Sequence, residues 1–339
     1  MEKNSRKDCL IVGGGLSGLV AATRLQSQGI QVKVLDKGRG IGGRLATRRM
    51  NHSQYREGIF DYGVQYITAE SEVFQEWLNQ WQKLGIVDVW GGAANTGEAS
   101  KQPKYIGLPN IRSLAKHLAS PLDVQTRTKV MDLKWTQGGW TVATDDCSQY
   151  DSNLLMITAP LPQSLQLLQH SQLGISESSW EKLTQVSYRM CLAVLLLVSE
   201  PILLGQGGSY HVKGEKLDWI ACNYQKGISP NGYAVTLHGN AKFSEEHSEK
   251  QLRDVAAQEL MVAAKEYLGN ASVIDYQTHF WRYSTPMTQF PEPFFSWEDS
   301  LYLAGDAFLA SNEPVSSLES AFLSGWEVAN SIAAQYSEQ

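Results

Sequence analysis

The sequence predicts an α/β protein: a Rossmann-like nucleotide-binding domain joined to a second α+β domain built on a mixed or antiparallel sheet. Three observations predict it. The chain opens on a short apolar run, "CLIV", that breaks into a glycine-rich turn and then into a helical pattern. A second buried-strand pattern, "LYLAGDAF" (Leu301 to Phe308), comes near the other end and is followed by a long apolar stripe at helical spacing. Between them, "RMCLAVLLLV", "LDWIACNY" and "GYAVTLHG" read as strands of the second sheet.

The first unit is strand, helix, strand. After "CLIV" the residues Leu16, Leu19, Ala22 and Leu25 share one helix face, which Gly29 closes, and "IQVKVL" alternates as the next strand. In this setting a GxGxxG match carries physical meaning. Gly13 permits the tight turn, Gly15 lets the backbone approach a pyrophosphate, and Gly18 lets helix and strand pack closely. The phosphates would sit at the helix N-terminus, beside Leu16 and Ser17, where free N–H groups favour negative charge. Asp36, followed by Lys37, stands 18 residues after Gly18 at the end of the second strand, where an acid meets the adenosine ribose. A bare glycine-rich turn would leave Asp36 unexplained.

The next stretch, "DKGRGIGGRLATRR", adds a glycine pair, Gly42 and Gly43, with Arg44 and Thr47. A simple dehydrogenase would continue into its next helix there. These residues offer donors and close backbone approach to a longer cofactor, although a surface turn with solvated arginines would look similar in isolation.

The block resembles the glycine-doublet motif, RxGGRxxS/T, of FAD-dependent amine oxidases and related flavoproteins, except that Gly40 stands at the first arginine position and Arg39 comes one step early. The resemblance implies an FAD-binding domain of the glutathione-reductase/amine-oxidase type, with FAD resident. It extends to "FDYGVQYIT", similar to the loop laid against the flavin ring, which brings in Gln65 and Tyr66. In "TRTKVMDL", Val130 matches the residue that holds adenine through its backbone. Gly305 and Asp306 match the C-terminal FAD element, where the aspartate accepts from the ribityl chain. The following helix carries Leu318, Ala321, Phe322, Gly325, Val328, Ala329 and Ile332 on one stripe, and its start at Ser317 and Leu318 would point N–H groups at the flavin pyrimidine.

Across most of the chain the resemblance is strongest to the renalase-like oxidoreductases, through "YIGLPNIRSLAKHLA", "MITAPLPQSLQLL", "DWIACNYQK" and "HFWRYSTPM". Asn110 departs from a common glycine there, and Asn223 from a more usual acid. The implied domain division is discontinuous: 1–68, 105–162 and 276–339 for FAD, and 69–104 with 163–275 for substrate. In the latter, "VFQEWLNQWQKLG" spaces Phe74, Trp77, Leu78 and Trp81 as a helix whose aromatics suit a core better than a binding cage. "EKQLRDVAAQELMVAAKEYLG" reads as one amphipathic helix ended by Gly269.

Composition narrows the function classes. At 339 residues, 42% hydrophobic and 19% charged, the chain suits a globular protein, and a net charge of −6 argues against a nucleic-acid or polybasic membrane surface. Its four scattered cysteines suggest neither zinc nor a disulfide framework but a reduced, cytoplasmic setting. The polar start "MEKNSRKD" lacks a secretory h-region. In the flavoproteins it resembles, covalent FAD is attached through a cysteine near the C-terminal segment; since no cysteine follows Cys222 here, the resemblance implies a non-covalent flavin.

Flavin would carry the redox step and the protein would position substrate. The resemblance implies hydride removal from a 2- or 6-dihydro-NAD(P) isomer, with O2 reoxidising the flavin to give H2O2. An amine substrate is the first alternative. A desaturase or redox-neutral flavoenzyme and a non-catalytic flavin-binding module are others. Candidates for the reacting face are His238, Tyr66, Trp281, Arg282 and Asn223, with His211 resting on position alone. His238 suits either a pocket or a hydrogen-bonded sheet position. Arg282 suits either a substrate phosphate or an ordinary ion pair, and at Tyr66 the backbone could matter more than the phenol.

Overall fold

Strand Asp8–Val12 lies inside a six-stranded sheet in the computed structural model, which describes residues 8–53, 57–90, 102–136, 138–205, 207–311 and 315–337. Residues 1–7, which make up most of the polar start, lie outside the described residues. Strand Asp8–Val12 pairs in parallel with Gln31–Asp36 on one side and Leu154–Ile157 on the other. Asp123–Thr126 and Leu301–Leu303 extend the parallel sheet outward, and Phe295–Trp297 closes one edge in antiparallel sense. All five parallel strands therefore end on one edge, and a ligand crevice belongs outside it.

Helices Leu16–Ser27 and Ser317–Ser337 cover one face of this sheet, burying Ile11, Leu25, Met156, Tyr302, Val328 and Ile332 together. They approach closely because Gly325 faces the backbone of Ser17: a Cβ there would meet Ser17 O at 2.3 Å. The other face packs on the meander Val130–Thr136, Gly139–Thr144 and Gln149–Ser152 and on helix Leu161–His170, around Trp140 and Leu165.

The second sheet is antiparallel, in the order Ser209–His211, Leu217–Cys222, Ala234–Gly239, Tyr188–Val198, Val273–Pro286. Its continuous apolar strand is explained by cover on both faces. Leu192, Val194 and Leu196 pack with Phe243, Ala256 and Leu260. Leu195 and Leu197 face Met50 and Phe60 of the hairpin Thr47–Met50/Gly58–Asp61. The sequence boundary at 276 falls inside strand Val273–Pro286, so residues 276–286 lie in this sheet.

Helix Glu72–Lys83 starts at Ser71, whose Oγ accepts from Phe74 N at 3.3 Å, and it buries Phe74, Leu78 and Trp81. These aromatics pack with Phe322 of the C-terminal helix. The stretch read as one helix up to Gly269 is divided: Lys250–Leu252 is a 3-10 turn, followed by Arg253–Ala263 and Lys265–Leu268. Ala256, Leu260, Ala264 and Leu268 keep a buried line across the break, so its packing face survives.

Candidate active site

A cavity of about 1360 Å³ runs from the C-terminal edge of the parallel sheet to one face of the antiparallel sheet. That exceeds the roughly 300–1,000 Å³ of an ordinary small-molecule site, which suits a long cofactor with a second ligand beside it.

At the parallel-sheet end the glycine turn is tied on every side. Gly13 N donates to Leu35 O at 2.8 Å, and Gly13 O accepts from Thr158 Oγ1 at 2.9 Å. Asp36 accepts from Gly14 N at 2.7 Å and Gly38 N at 2.6 Å, so its carboxylate clamps the turn while still lining the cavity. The two glycine motifs meet directly, because Gly42 N donates to Gly14 O at 2.7 Å.

The glycines divide by purpose. A Cβ at Gly18 would lie 2.1 Å from Gly13 O, which is a packing constraint. A Cβ at Gly15 would meet nothing within 4 Å, and at Gly43 the nearest atom would be Gly15 Cα at 3.6 Å. Both border open cavity and leave room there for a ligand, and Gly43 also needs to be glycine for its left-handed φ of +55°. Ser17 Oγ beside them is buried without a hydrogen-bond partner among the described residues. Backbone N–H groups at a helix start, an orphaned hydroxyl and open space over two glycines fit a dinucleotide.

The other positions expected at a cofactor also line this cavity: Lys37, which donates to Gln163 Oε1 at 2.7 Å, and Val130, Gly305, Ser317 and Leu318. Arg44 and Asp306 line it too, but bonded to each other, at 2.5 Å (Nη1–Oδ2) and 2.8 Å (Nη2–Oδ1). Tyr188 OH also donates to Asp306, at 3.1 Å.

The segment 61–66 lies between the two sheets and is anchored from beneath. Asp61 is buried, accepting from Thr47 Oγ1 at 2.6 Å and Ile111 N at 3.1 Å; burial raises its pKa, against the pull of Lys226. Gln65 Nε2 donates to Asp61 O at 2.7 Å, and buried Lys226 donates to Gln65 O at 2.8 Å. Gln65 Oε1 has no partner among the described residues. Asn223 belongs to this support: its Oδ1 accepts from Asp61 N at 3.2 Å and its Nδ2 donates to Thr236 Oγ1 at 2.9 Å. It does not line the cavity, unlike the other four candidates for the reacting face and His211.

Strand register builds the opposite wall. His211 is paired with Trp219, Trp219 with His238, His238 with Ala193, and Ala193 with His279. One row thus crosses all five strands with three imidazoles and an indole, and these four side chains line the cavity. Small Ala193 lies between His238 and His279, and two donors beside it are aimed at one atom: His238 Nε2 and Trp281 Nε1, the latter on the residue paired with Cys191, each lie 3.0 Å from Tyr62 O. Tyr62 stacks on Trp281 with ring centroids 5.3 Å apart, and Tyr66 lies 5.8 Å from Trp219.

A carbonyl oxygen only accepts, so His238 carries its proton on Nε2 and keeps Nδ1 as an acceptor. Burial holds His238 down to about 4. Burial, with Arg48 and Arg253 nearby, holds His279 at about 4. Both rings are neutral near pH 7. Cys191 also lines the cavity, but burial pushes its thiol up to about 12, which removes its nucleophilic form.

Sequence reasoning missed Tyr62, Thr158, Trp219 and His279 as site residues. Each lay in a segment whose resemblance was visible, yet only strand pairing brings them to the cavity. Among the described residues, no group of three or more His, Cys, Asp or Glu could hold a metal ion, and no helix is long and apolar enough to cross a membrane.

A family model for flavin-containing amine oxidoreductases matches residues 94–333, and one for NAD(P)-binding Rossmann-like domains matches residues 11–81. Renalase from Mus musculus is 27% identical over 333 residues, covering 89% of this chain and 93% of that protein. Among solved structures, a putrescine oxidase triple mutant superposes with a TM-score of 0.65 at 14% identity, covering 97% of this chain and 99% of that one. An oxidoreductase from Methanosarcina mazei gives 0.61 at 13% identity, covering 95% and 100%. These structural likenesses speak for the fold.

Proposed function

The chain belongs to the flavin-containing amine oxidoreductase family, its cofactor is FAD, and from that premise we propose that it oxidises 2- or 6-dihydro-NAD(P) isomers to NAD(P)+. O2 would take the electrons from the reduced flavin and leave as H2O2.

The observation that carries this reading is the wall of imidazole and indole rings, with His238 and His279 held neutral, continuous with the nucleotide end in one cavity of about 1360 Å³. A dihydropyridine ring is flat and uncharged. On losing hydride it becomes an aromatic pyridinium cation, so no protein base has to take a proton from it.

Bound FAD supplies the hydride acceptor. Gly13, Gly15, Asp36 and the start of helix Leu16–Ser27 would hold its adenosine and pyrophosphate, and segment 61–66 its ring end. Tyr62, Trp219 and Trp281 offer ring faces that exclude water from the substrate. His238 and His279, being neutral, do not repel the cationic product. Among the described residues His238 Nδ1 has no partner, and it stays available as an acceptor toward a substrate amide.

A second reading, an amine oxidase, draws on Asp218, whose carboxylate on the cavity wall could bind an ammonium. The two are separated by anaerobic mixing of the yellow protein with an equilibrated NAD(P)H isomer mixture, with purified β-NAD(P)H and with an amine panel. Fast bleaching by the isomer mixture alone supports the proposal. Bleaching by amines, and not by the mixture, would replace it.

A further inference from the structure

We propose that Arg48, with Arg282 at the cavity rim, forms an anion site for the phosphate groups of the nucleotide substrate. The inference rests on the reading above that the substrate is a dihydronicotinamide nucleotide, and it makes the phosphates, besides the ring, a determinant of recognition.

Arg48 stands on strand Thr47–Met50. Its guanidinium lies over the Tyr62 ring at 4.9 Å, and Nη2 is 3.4 Å from His279 Nδ1; both rings line the cavity. Its remaining partners are Thr278 O at 3.4 Å and Gln277 Oε1 at 3.5 Å. All are neutral and sit at the outer limit of hydrogen-bond distance. Neighbouring arginines differ: Arg44 is held by Asp306 and Arg49 by Glu57, at 2.6 Å in the latter pair. Among the described residues, Arg48 has no carboxylate within ion-pair distance, so a half-buried fork of donors keeps an unneutralised charge.

Arg282 adds a second cation. It lies on strand Val273–Pro286 three residues from His279, is exposed, lines the cavity whose Tyr62 and His279 rings Arg48 touches from outside the lining, and has no partner among the described residues. The positive field is felt locally, since Arg48 and Arg253 both help to depress the His279 pKa. It is not background, because the chain carries a net charge of −6. Planar guanidinium groups match phosphate oxygens in pairs. The cofactor's own pyrophosphate has a separate place at the glycine turn of the other sheet, so these arginines serve a second ligand.

The test uses the FAD-loaded protein and two probes. ADP-ribose carries the phosphates without the reacting ring, and 1-methyl-1,6-dihydronicotinamide carries the ring without phosphate. ADP-ribose is expected to bind, read by calorimetry, and Arg48→Gln to weaken it about tenfold or more, as befits a lost charge-assisted bond. Arg48→Lys should recover part of that loss. Arg282→Gln, at an exposed position that does not endanger folding, should weaken binding severalfold and carries the test if Arg48→Gln fails to fold.

No ADP-ribose binding by the parent, or binding within twofold of the parent in both glutamine variants, overturns the site. Arg48-dependent binding, with no flavin reduction by any dihydronicotinamide, keeps the site and removes the oxidase reading. Equal flavin reduction by the nucleotide and the phosphate-free ring, at equal concentration, keeps the oxidase reading and removes the site.

Discussion

His238 Nε2 lies 3.0 Å from the carbonyl oxygen of Tyr62. That contact fixes the tautomer of a cavity-lining imidazole, leaves Nδ1 as an acceptor, and ties the antiparallel sheet to the segment that follows the glycine doublet. His238→Ala is expected to retain FAD while slowing anaerobic flavin reduction about tenfold, the scale of one lost hydrogen bond and some loss of order. Stopped-flow absorbance of the FAD-loaded variant checks it; an unchanged rate would make His238 purely structural.

The same imidazole and His279 predict an acid weakness. Both are held near pKa about 4, below the ordinary value, chiefly by burial, so the unfolded chain binds their protons first as pH falls. Their contribution is fully present above about pH 6.5 and is lost as pH drops toward 4, by up to about 3 kcal/mol for the buried His238 and by less for the partly exposed His279, where solvent screens the effect. Urea unfolding between pH 7.5 and 4.5 measures this, and His238→Gln should flatten the slope. A parent slope unaltered by that substitution would contradict the burial argument.

Glycines 15 and 18 should fail differently. Gly15 has φ −79°, which any residue adopts, and faces open cavity. Gly15→Ala is therefore expected to fold with near-parent stability but to purify with little flavin. Gly18→Ala would drive a methyl into Gly13 O and should cost at least about 2 kcal/mol by overpacking. Melting curves of the apoproteins, with the flavin-to-protein absorbance ratio, distinguish the two.

Arg44→Met should strand the Asp306 carboxylate, which is 3% exposed, without its partner. The expected loss is roughly 3–5 kcal/mol, because the remaining charge stays buried. Chemical denaturation reads it, and a loss under about 1 kcal/mol would show that the pair is solvated.

Trichloroacetic acid should release the yellow colour into the supernatant. Cys191 is on the cavity wall but is held as an unreactive thiol, and Cys9 and Cys222 are buried elsewhere with their pKa values raised by burial. Colour in the pellet would identify a covalent link.

Much of the cofactor end was legible because it is local. Gly13, Gly15, Gly18 and Asp36 fall within one βαβ unit, and chain geometry alone carries them to the strand ends. Residues 301–308 and the helix after them were legible for the same reason, since a buried strand and an apolar stripe each declare themselves over a few turns. Asn223 shows the limit: it sits in a recognisable segment, yet its amide is spent on Asp61 and Thr236 behind the cavity. Nothing near it in sequence says which way its strand end faces.

The sequence by itself determined the nucleotide turn, the family likeness and the strands of the second sheet, because periodicity and short spacings act over neighbouring residues. The tertiary structure alone decided that His211, Trp219, His238 and His279 form one row, that Tyr62 receives two donors, and that Arg48 is left without a carboxylate among the described residues. Those facts depend on pairing register between strands as much as 86 residues apart, from Ala193 to His279, where a slip of one position would turn each ring to the opposite face.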